Sequence, residues 1–218
     1  MIISLMKKDI YLTKKYLLLT MALAIAIPFF YAWRAPKLLG FTAIIMTVLM
    51  VEVLLIGNLL MEEEKYPKAE MLLCSSPYKR KMMIMEKYIF CFIIFVYCCT
   101  AYNGVALFSP DIAFLNMKTI LLILLINTVL FGIYFPLQYK FGIQSTKLLL
   151  TLGVFAFPLL LSGAFNFVSD RLKYFRLENL SGKVQYLLMI FCIILMTAGS
   201  FYISNKFIPK RNFKFTAE

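Results

Sequence analysis

The chain contains no histidine, and only 16% of its 218 residues are Asp, Glu, Lys or Arg. Without histidine it lacks the general base or metal ligand on which intramembrane metalloproteases, rhomboid-like proteases and membrane acyltransferases depend. It also lacks a phosphate-binding loop of the form G-x-x-x-x-G-K-[ST], so we expect no ATP hydrolysis by that route. Its five cysteines form no C-x-x-C pair, which argues against a zinc site or a disulfide framework.

Apolar residues make up 62% of the chain and gather into long runs with few or no charges. A helix needs about 20 such residues to cross roughly 30 Å of hydrocarbon. We therefore predict an all-α polytopic membrane protein with a single transmembrane domain over residues 16–205. Six transmembrane helices are predicted, at about 16–33, 38–61, 88–108, 119–137, 148–168 and 186–203.

The segments outside the spans are strongly basic, and the chain has a net charge of +12. Residues 1–15 mix apolar and basic side chains in a pattern typical of an amphipathic helix in the membrane interface. Residues 206–218 form a basic tail. Together with the connections at 62–87 and 138–147, these two segments hold 16 of the 23 Lys and Arg residues. The distribution predicts that both termini are cytoplasmic.

Glu52 lies in the middle of the second predicted span, where a charged carboxylate costs on the order of 2.5–3.5 kcal/mol. We expect it to face protein or water, either with a role on a substrate pathway or in pairing between helices, or as a neutral, hydrogen-bonded group that only packs. Amides inside the spans are suited to hydrogen bonds across helices, and they occur at Asn58, Asn103, Asn127 and Asn166. Gly153 and Pro158 can kink the fifth span.

Several local patterns resemble the small six-span permease subunits of bacterial ABC-2 type transporters. Leu5 to Ile10, with Lys14 and Lys15, looks like the opening interfacial helix of that family. The stretch from Glu62 to Tyr88 is similar to its first cytoplasmic loop, with an acidic patch, a Leu72-Leu73-Cys74-Ser75-Ser76-Pro77 turn and a basic cluster. Pro136 and Lys140-Phe141-Gly142 match the end of its fourth span.

The resemblance implies a multi-pass protein of a bacterial plasma membrane, with a coupling helix at 66–75 that docks on a cytoplasmic ABC ATPase. It implies a second permease, of the same or a related chain, and no cofactor in this chain, because ATP and Mg²⁺ belong to the ATPase. ATPase-coupling roles are implied for Glu62, Glu63, Glu64, Tyr66, Pro67, Glu70, Met71, Leu72 and Ser75. The alternative for this loop is a solvated segment whose charges only fix topology. Substrate-pathway roles are assigned to Glu52, Asn58, Gly153 and Pro158.

The predicted function is that of a non-catalytic permease subunit that couples ATP hydrolysis by a partner to export of a hydrophobic or amphipathic substrate. Similar permeases serve the export of bacteriocins and cytolytic peptides, or protection against them, so a peptide is the expected substrate. One alternative is a secondary transporter or channel that uses Glu52 as a proton or cation site. Another is a membrane scaffold or immunity protein without transport activity.

Overall fold

A computed structural model describes residues 2–34, 40–65, 80–109, 112, 114–142, 146 and 182–207. Every regular element in these ranges is an α-helix, which confirms the predicted all-α class. The six helices are α1 Ile2–Leu12, α2 Lys14–Arg34, α3 Phe41–Lys65, α4 Arg80–Phe108, α5 Met117–Phe141 and α6 Gly182–Phe207. The predicted span at 148–168, the predicted coupling helix at 66–75 and most of the tail lie outside the described residues.

Five of these helices are long and apolar enough to cross a membrane, and each overlaps one of the predicted spans. The qualifying segments are Lys14–Arg34, Phe41–Glu63, Met82–Phe108, Met117–Phe141 and Val184–Lys206. Each carries a mean hydropathy of at least 1.8 over its central window. The chain is therefore a multi-pass membrane protein.

The helices on either side of the longest predicted connection extend further than expected. The sequence predicts a hydrophilic segment at 62–87, but α3 continues to Lys65 and α4 already begins at Arg80. Charged residues are compatible with a helix once the chain has left the hydrocarbon, because only the interior of the bilayer penalises them. The connection between the two helices is consequently 66–79.

α3 is the central helix of the described bundle. In its apolar window 61% of the residues are buried, against 11% in α6, and α3 contacts α1, α2, α4 and α5. Ile44 and Val48 of α3 pack in one apolar core with Ala24 of α2 and Phe95 and Tyr102 of α4. This core fixes the relative positions of the helices that hold the charged groups described below.

α5 and α6 pack closely against each other where a glycine faces a serine. Ser200 Oγ donates a hydrogen bond to the Gly132 carbonyl at 2.7 Å and also bonds the Tyr88 hydroxyl of α4. A methyl group at Gly132 would lie 3.6 Å from Ser200 Cβ, so the two helices leave room for little more. The Tyr88 ring in turn stacks edge-on against Phe135, with centroids 4.8 Å apart. Three helices are thereby joined near one end of the bundle.

Candidate functional site

Five ionisable side chains from three helices meet at one end of the bundle, and we call them the boundary charge cluster. They are Lys8 and Asp9 of α1, Glu63 of α3, and Glu86 and Lys87 of α4. Asp9 is 0% exposed, Glu86 2% and Lys87 8%. Charged residues are almost never buried to this degree unless they are paired.

Glu63 is the bridge of the cluster because its two oxygens accept from ammonium groups on different helices. Lys8 Nζ lies 3.1 Å from Glu63 Oε1, and Lys87 Nζ lies 2.6 Å from Glu63 Oε2. Lys8 Nζ is also 3.1 Å from Asp9 Oδ1, and the carboxyl group of Glu86 lies next to that of Asp9. One connected set of ionisable side chains therefore links α1 to both α3 and α4.

The electrostatic environment keeps Lys8 charged. Burial by itself would lower the pKa of Lys8, and the positive charge of Lys87 also lowers it. The neighbouring carboxylates of Glu63 and Asp9 raise the pKa by more than these two effects lower it. The pKa of Lys8 is consequently raised above its ordinary value of 10.5. Lys8 remains an ammonium group at neutral pH and holds α1 against α3.

The boundary charge cluster stands at both ends of the 66–79 connection, where the ATPase-coupling residues are predicted. Of that predicted set, Glu63 is in the cluster, and Glu62 pairs with Lys65 in its own helix at 2.6 Å. Glu64 lies in the last turn of α3. The remaining members are outside the described residues: Tyr66, Pro67, Glu70, Met71, Leu72 and Ser75. A displacement of the connection would reach α1 through the cluster as well as α3 and α4 directly.

A second polar contact lies inside the membrane-spanning part. Glu52 is 0% exposed, and its Oε1 accepts a hydrogen bond from Asn127 Nδ2 of α5 at 2.9 Å. Glu52 thus faces protein, as expected of a carboxyl group in mid-span. Asn58 instead donates to the Leu54 carbonyl of its own helix, and Asn103 accepts from the Leu115 amide in the α4–α5 connection.

The predicted pathway residues are therefore not brought together in the described part of the chain. Glu52 and Asn58 both lie on α3, but only Glu52 contacts another span through its side chain in the contacts above. Gly153, Pro158 and Asn166 are outside the described residues. A substrate-pathway role for these positions stays a prediction.

Sequence reasoning named Lys8 and Asp9 only as parts of an amphipathic helix and gave Glu86 and Lys87 no role. One signal was available: Asp9 is the only acidic residue before Glu52. A lone acid in a basic helix that precedes a membrane span is a candidate for an internal ion pair. The partners of this charge cluster could not be predicted from the sequence, because Lys8 and Glu63 are 55 residues apart.

Comparison with known protein families gives a match that covers nearly the whole chain. Residues 4–208 match the family model described as "ABC-2 family transporter protein". No curated protein and no solved structure gives a significant match. The matched range includes the five membrane-spanning helices that the structure describes and nearly all of α1. The chain belongs to the ABC-2 family of transporter proteins.

Proposed function

We propose that the chain is the permease subunit of an ABC exporter and that a separate cytoplasmic ATPase docks on its 66–79 connection. The subunit performs no catalysis itself, and ATP and Mg²⁺ bind to the ATPase. It works beside a second permease, with six spans in each chain and both termini in the cytoplasm. Closure of the ATPases on ATP displaces the connection, and the displacement shifts the spans of one permease against the other.

The observation that carries this proposal is the bridge from Lys8 through Glu63 to Lys87. The bridge joins the last turn of α3 to the second turn of α4, the two helices that the 66–79 connection links. These ion pairs are partly buried and link three helices through one carboxylate, so we expect α1, α3 and α4 to move together at this end. An ATPase docked on the connection would then displace α1, α3 and α4 as one unit.

The proposed substrate is a hydrophobic or amphipathic peptide. Its support is the family and the resemblance of the chain to small permeases that serve the export of such peptides. A lateral path for an apolar substrate requires apolar surface at membrane depth. Charged substrates would need polar groups along such a path.

The docking assignment is tested by copurification from native membranes in mild detergent. The tagged full-length chain should retain a stoichiometric subunit whose sequence carries a P-loop, and the complex should hydrolyse ATP. Glu70→Lys, which reverses a charge in the predicted coupling helix, should release most of that subunit. The matched control is Glu178→Lys, the same reversal in the connection predicted on the opposite side, and it should retain the subunit.

Three results would count against the assignment. One is retention of the ATPase by the Glu70→Lys variant at the level of the wild type. Another is the absence of any P-loop subunit from the wild-type preparation, which would favour the alternative hypotheses of a secondary transporter or a membrane scaffold. Equal losses in the two charge-reversal variants would also contradict it, because they would point to net charge rather than to a docking segment.

A further inference from the structure

The charged residues at the N-terminal end of the chain lie on two faces of the helix, one packed against the bundle and one exposed. Leu5, Asp9 and Thr13 are buried against the bundle, and Lys8 joins them through its ion pairs. The opposite face carries Lys7, Tyr11, Lys14 and Lys15, all of them exposed; we call these four residues the outer lysine face.

The outer lysine face is continuous although a turn separates α1 from α2. The Thr13 amide donates to the Asp9 carbonyl at 3.0 Å, and the Leu17 amide donates to the Thr13 carbonyl at 2.7 Å. Helical hydrogen bonding therefore runs through the junction. Positions 7, 11 and 14 follow the spacing of three and four residues that places side chains on one side of a helix.

The three lysines of this face have no acidic partner among the residues that the structure describes. No acidic side chain in the described ranges lies within ion-pair distance of Lys7, Lys14 or Lys15, whereas Lys8, one position along, is held by two carboxylates. Lys14 lies 6.0 Å from the centre of the Tyr11 ring, which is 81% exposed. Three positive charges and an amphipathic ring are thus presented outwards together.

The position of the outer lysine face relative to the membrane indicates which groups it contacts. The span of α2 begins at Lys14, and Leu18 and Leu19 in its next turn are 72% and 56% exposed. Exposed leucines at the start of a span face hydrocarbon, so Lys14 and Lys15, one turn earlier, lie at the depth of the lipid headgroups. Lys7 lies two further turns from the hydrocarbon, on the same side of the helix. Tyrosine is also enriched at the depth of the headgroups. A source of negative charge at that depth is the phosphate of a lipid headgroup.

We propose that the outer lysine face is a binding surface for anionic phospholipid headgroups, which supply the counter-charge that the described protein does not. Each lysine near an anionic bilayer surface strengthens association about fivefold. The interaction is electrostatic and weakens with salt, since the Debye length is about 8 Å at physiological ionic strength. The proposal does not depend on which substrate the protein transports or on docking of an ATPase.

The test is lipid selectivity of the full-length chain reconstituted in phosphatidylcholine vesicles. Spin-labelled phosphatidylglycerol and spin-labelled phosphatidylcholine are compared for the fraction immobilised at the protein surface. The wild type should prefer phosphatidylglycerol several-fold, and the preference should fall as salt is added. Lys7→Gln/Lys14→Gln/Lys15→Gln should lose most of the preference, while the corresponding triple arginine variant should keep it.

The matched control removes three exposed lysines that are scattered over other helices. Lys118→Gln/Lys140→Gln/Lys206→Gln has the same net charge as the first triple variant and should keep the phosphatidylglycerol preference. Equal losses in the two glutamine triples would overturn the proposal, as would an unchanged preference in the first. If the first triple does not insert, Lys14→Gln is compared with Lys118→Gln, and Lys14→Gln should lose part of the preference while Lys118→Gln keeps it. An unchanged preference in Lys14→Gln, or equal losses in these two variants, would overturn the proposal.

Discussion

Replacing Lys87 by methionine removes the more deeply buried cation of the boundary charge cluster while nearly conserving side-chain volume. Losing one partner of a buried ion pair costs about 3–5 kcal/mol, because the remaining charge is left poorly solvated. Here Lys8 still lies 3.1 Å from Glu63, and the Glu63 side chain is 23% exposed. Both features reduce the penalty, so we expect Lys87→Met to lower the free energy of unfolding by about 3 kcal/mol.

The control for this variant has the same ion-pair distance without the burial. Lys65 Nζ lies 2.6 Å from Glu62 Oε1, the distance found between Lys87 and Glu63, but the Lys65 side chain is 61% exposed. Exposed pairs within one helix contribute about 0.3–0.5 kcal/mol. Lys65→Met should therefore leave the free energy of unfolding nearly unchanged.

The assay is equilibrium unfolding in mixed micelles, followed by the helical circular dichroism signal. The double variant Lys87→Met/Glu63→Gln should recover part of the loss, because it no longer leaves the Glu63 charge short of a partner; couplings of about 0.5–3 kcal/mol are usual for such neighbours. If Lys87→Met and Lys65→Met have equal effects, the reasoning from burial is refuted. Additive effects of Lys87→Met and Glu63→Gln would refute the pairing.

Three further outcomes follow from the described contacts. Glu52→Gln keeps an oxygen for the Asn127 amide, so transport should persist, whereas a secondary transporter that uses this carboxyl for a proton or cation would lose activity in a flux assay. Gly142→Ala should cost about 1–3 kcal/mol on unfolding, because φ is +89° and ψ 170° there, while Gly104→Ala, with nothing within 4 Å, should be neutral or stabilising. Gly132→Leu should separate α5 from α6 and lower the thermal stability in detergent, since Ser200 is already at contact distance from a methyl group.

The apolar runs were sufficient to predict the helical class and to locate the five spans that the structure describes. The reason is physical: a bilayer requires an uninterrupted apolar helix of fixed minimum length, so the pattern is long and nearly free of charge. The ends of the helices were harder to predict from the sequence. Glu63 and Lys87 read as parts of a loop because they are charged, but each continues its helix and meets the other at 2.6 Å.

The cluster and the mid-span contact depended on information that a single sequence does not carry. The side-chain pattern of α1 predicts one polar and one apolar face, yet it places Lys7 and Lys8 equally well in solvent. Only the packing of α1 on α3 and α4 turns Lys8 inwards. Likewise, the sequence indicated that Glu52 and Asn127 each required a partner, and packing across 75 residues made them partners of each other.

The central claim, that this permease is driven by a separate ATPase bound at its 66–79 connection, is tested most directly by site-specific photocrosslinking in native membranes. A photoreactive amino acid at Met71 should crosslink to a P-loop subunit, and ATP should change the yield. The same probe at Leu180, in the connection predicted on the opposite side, should give no such product. A crosslink from Leu180 with none from Met71 would contradict the account.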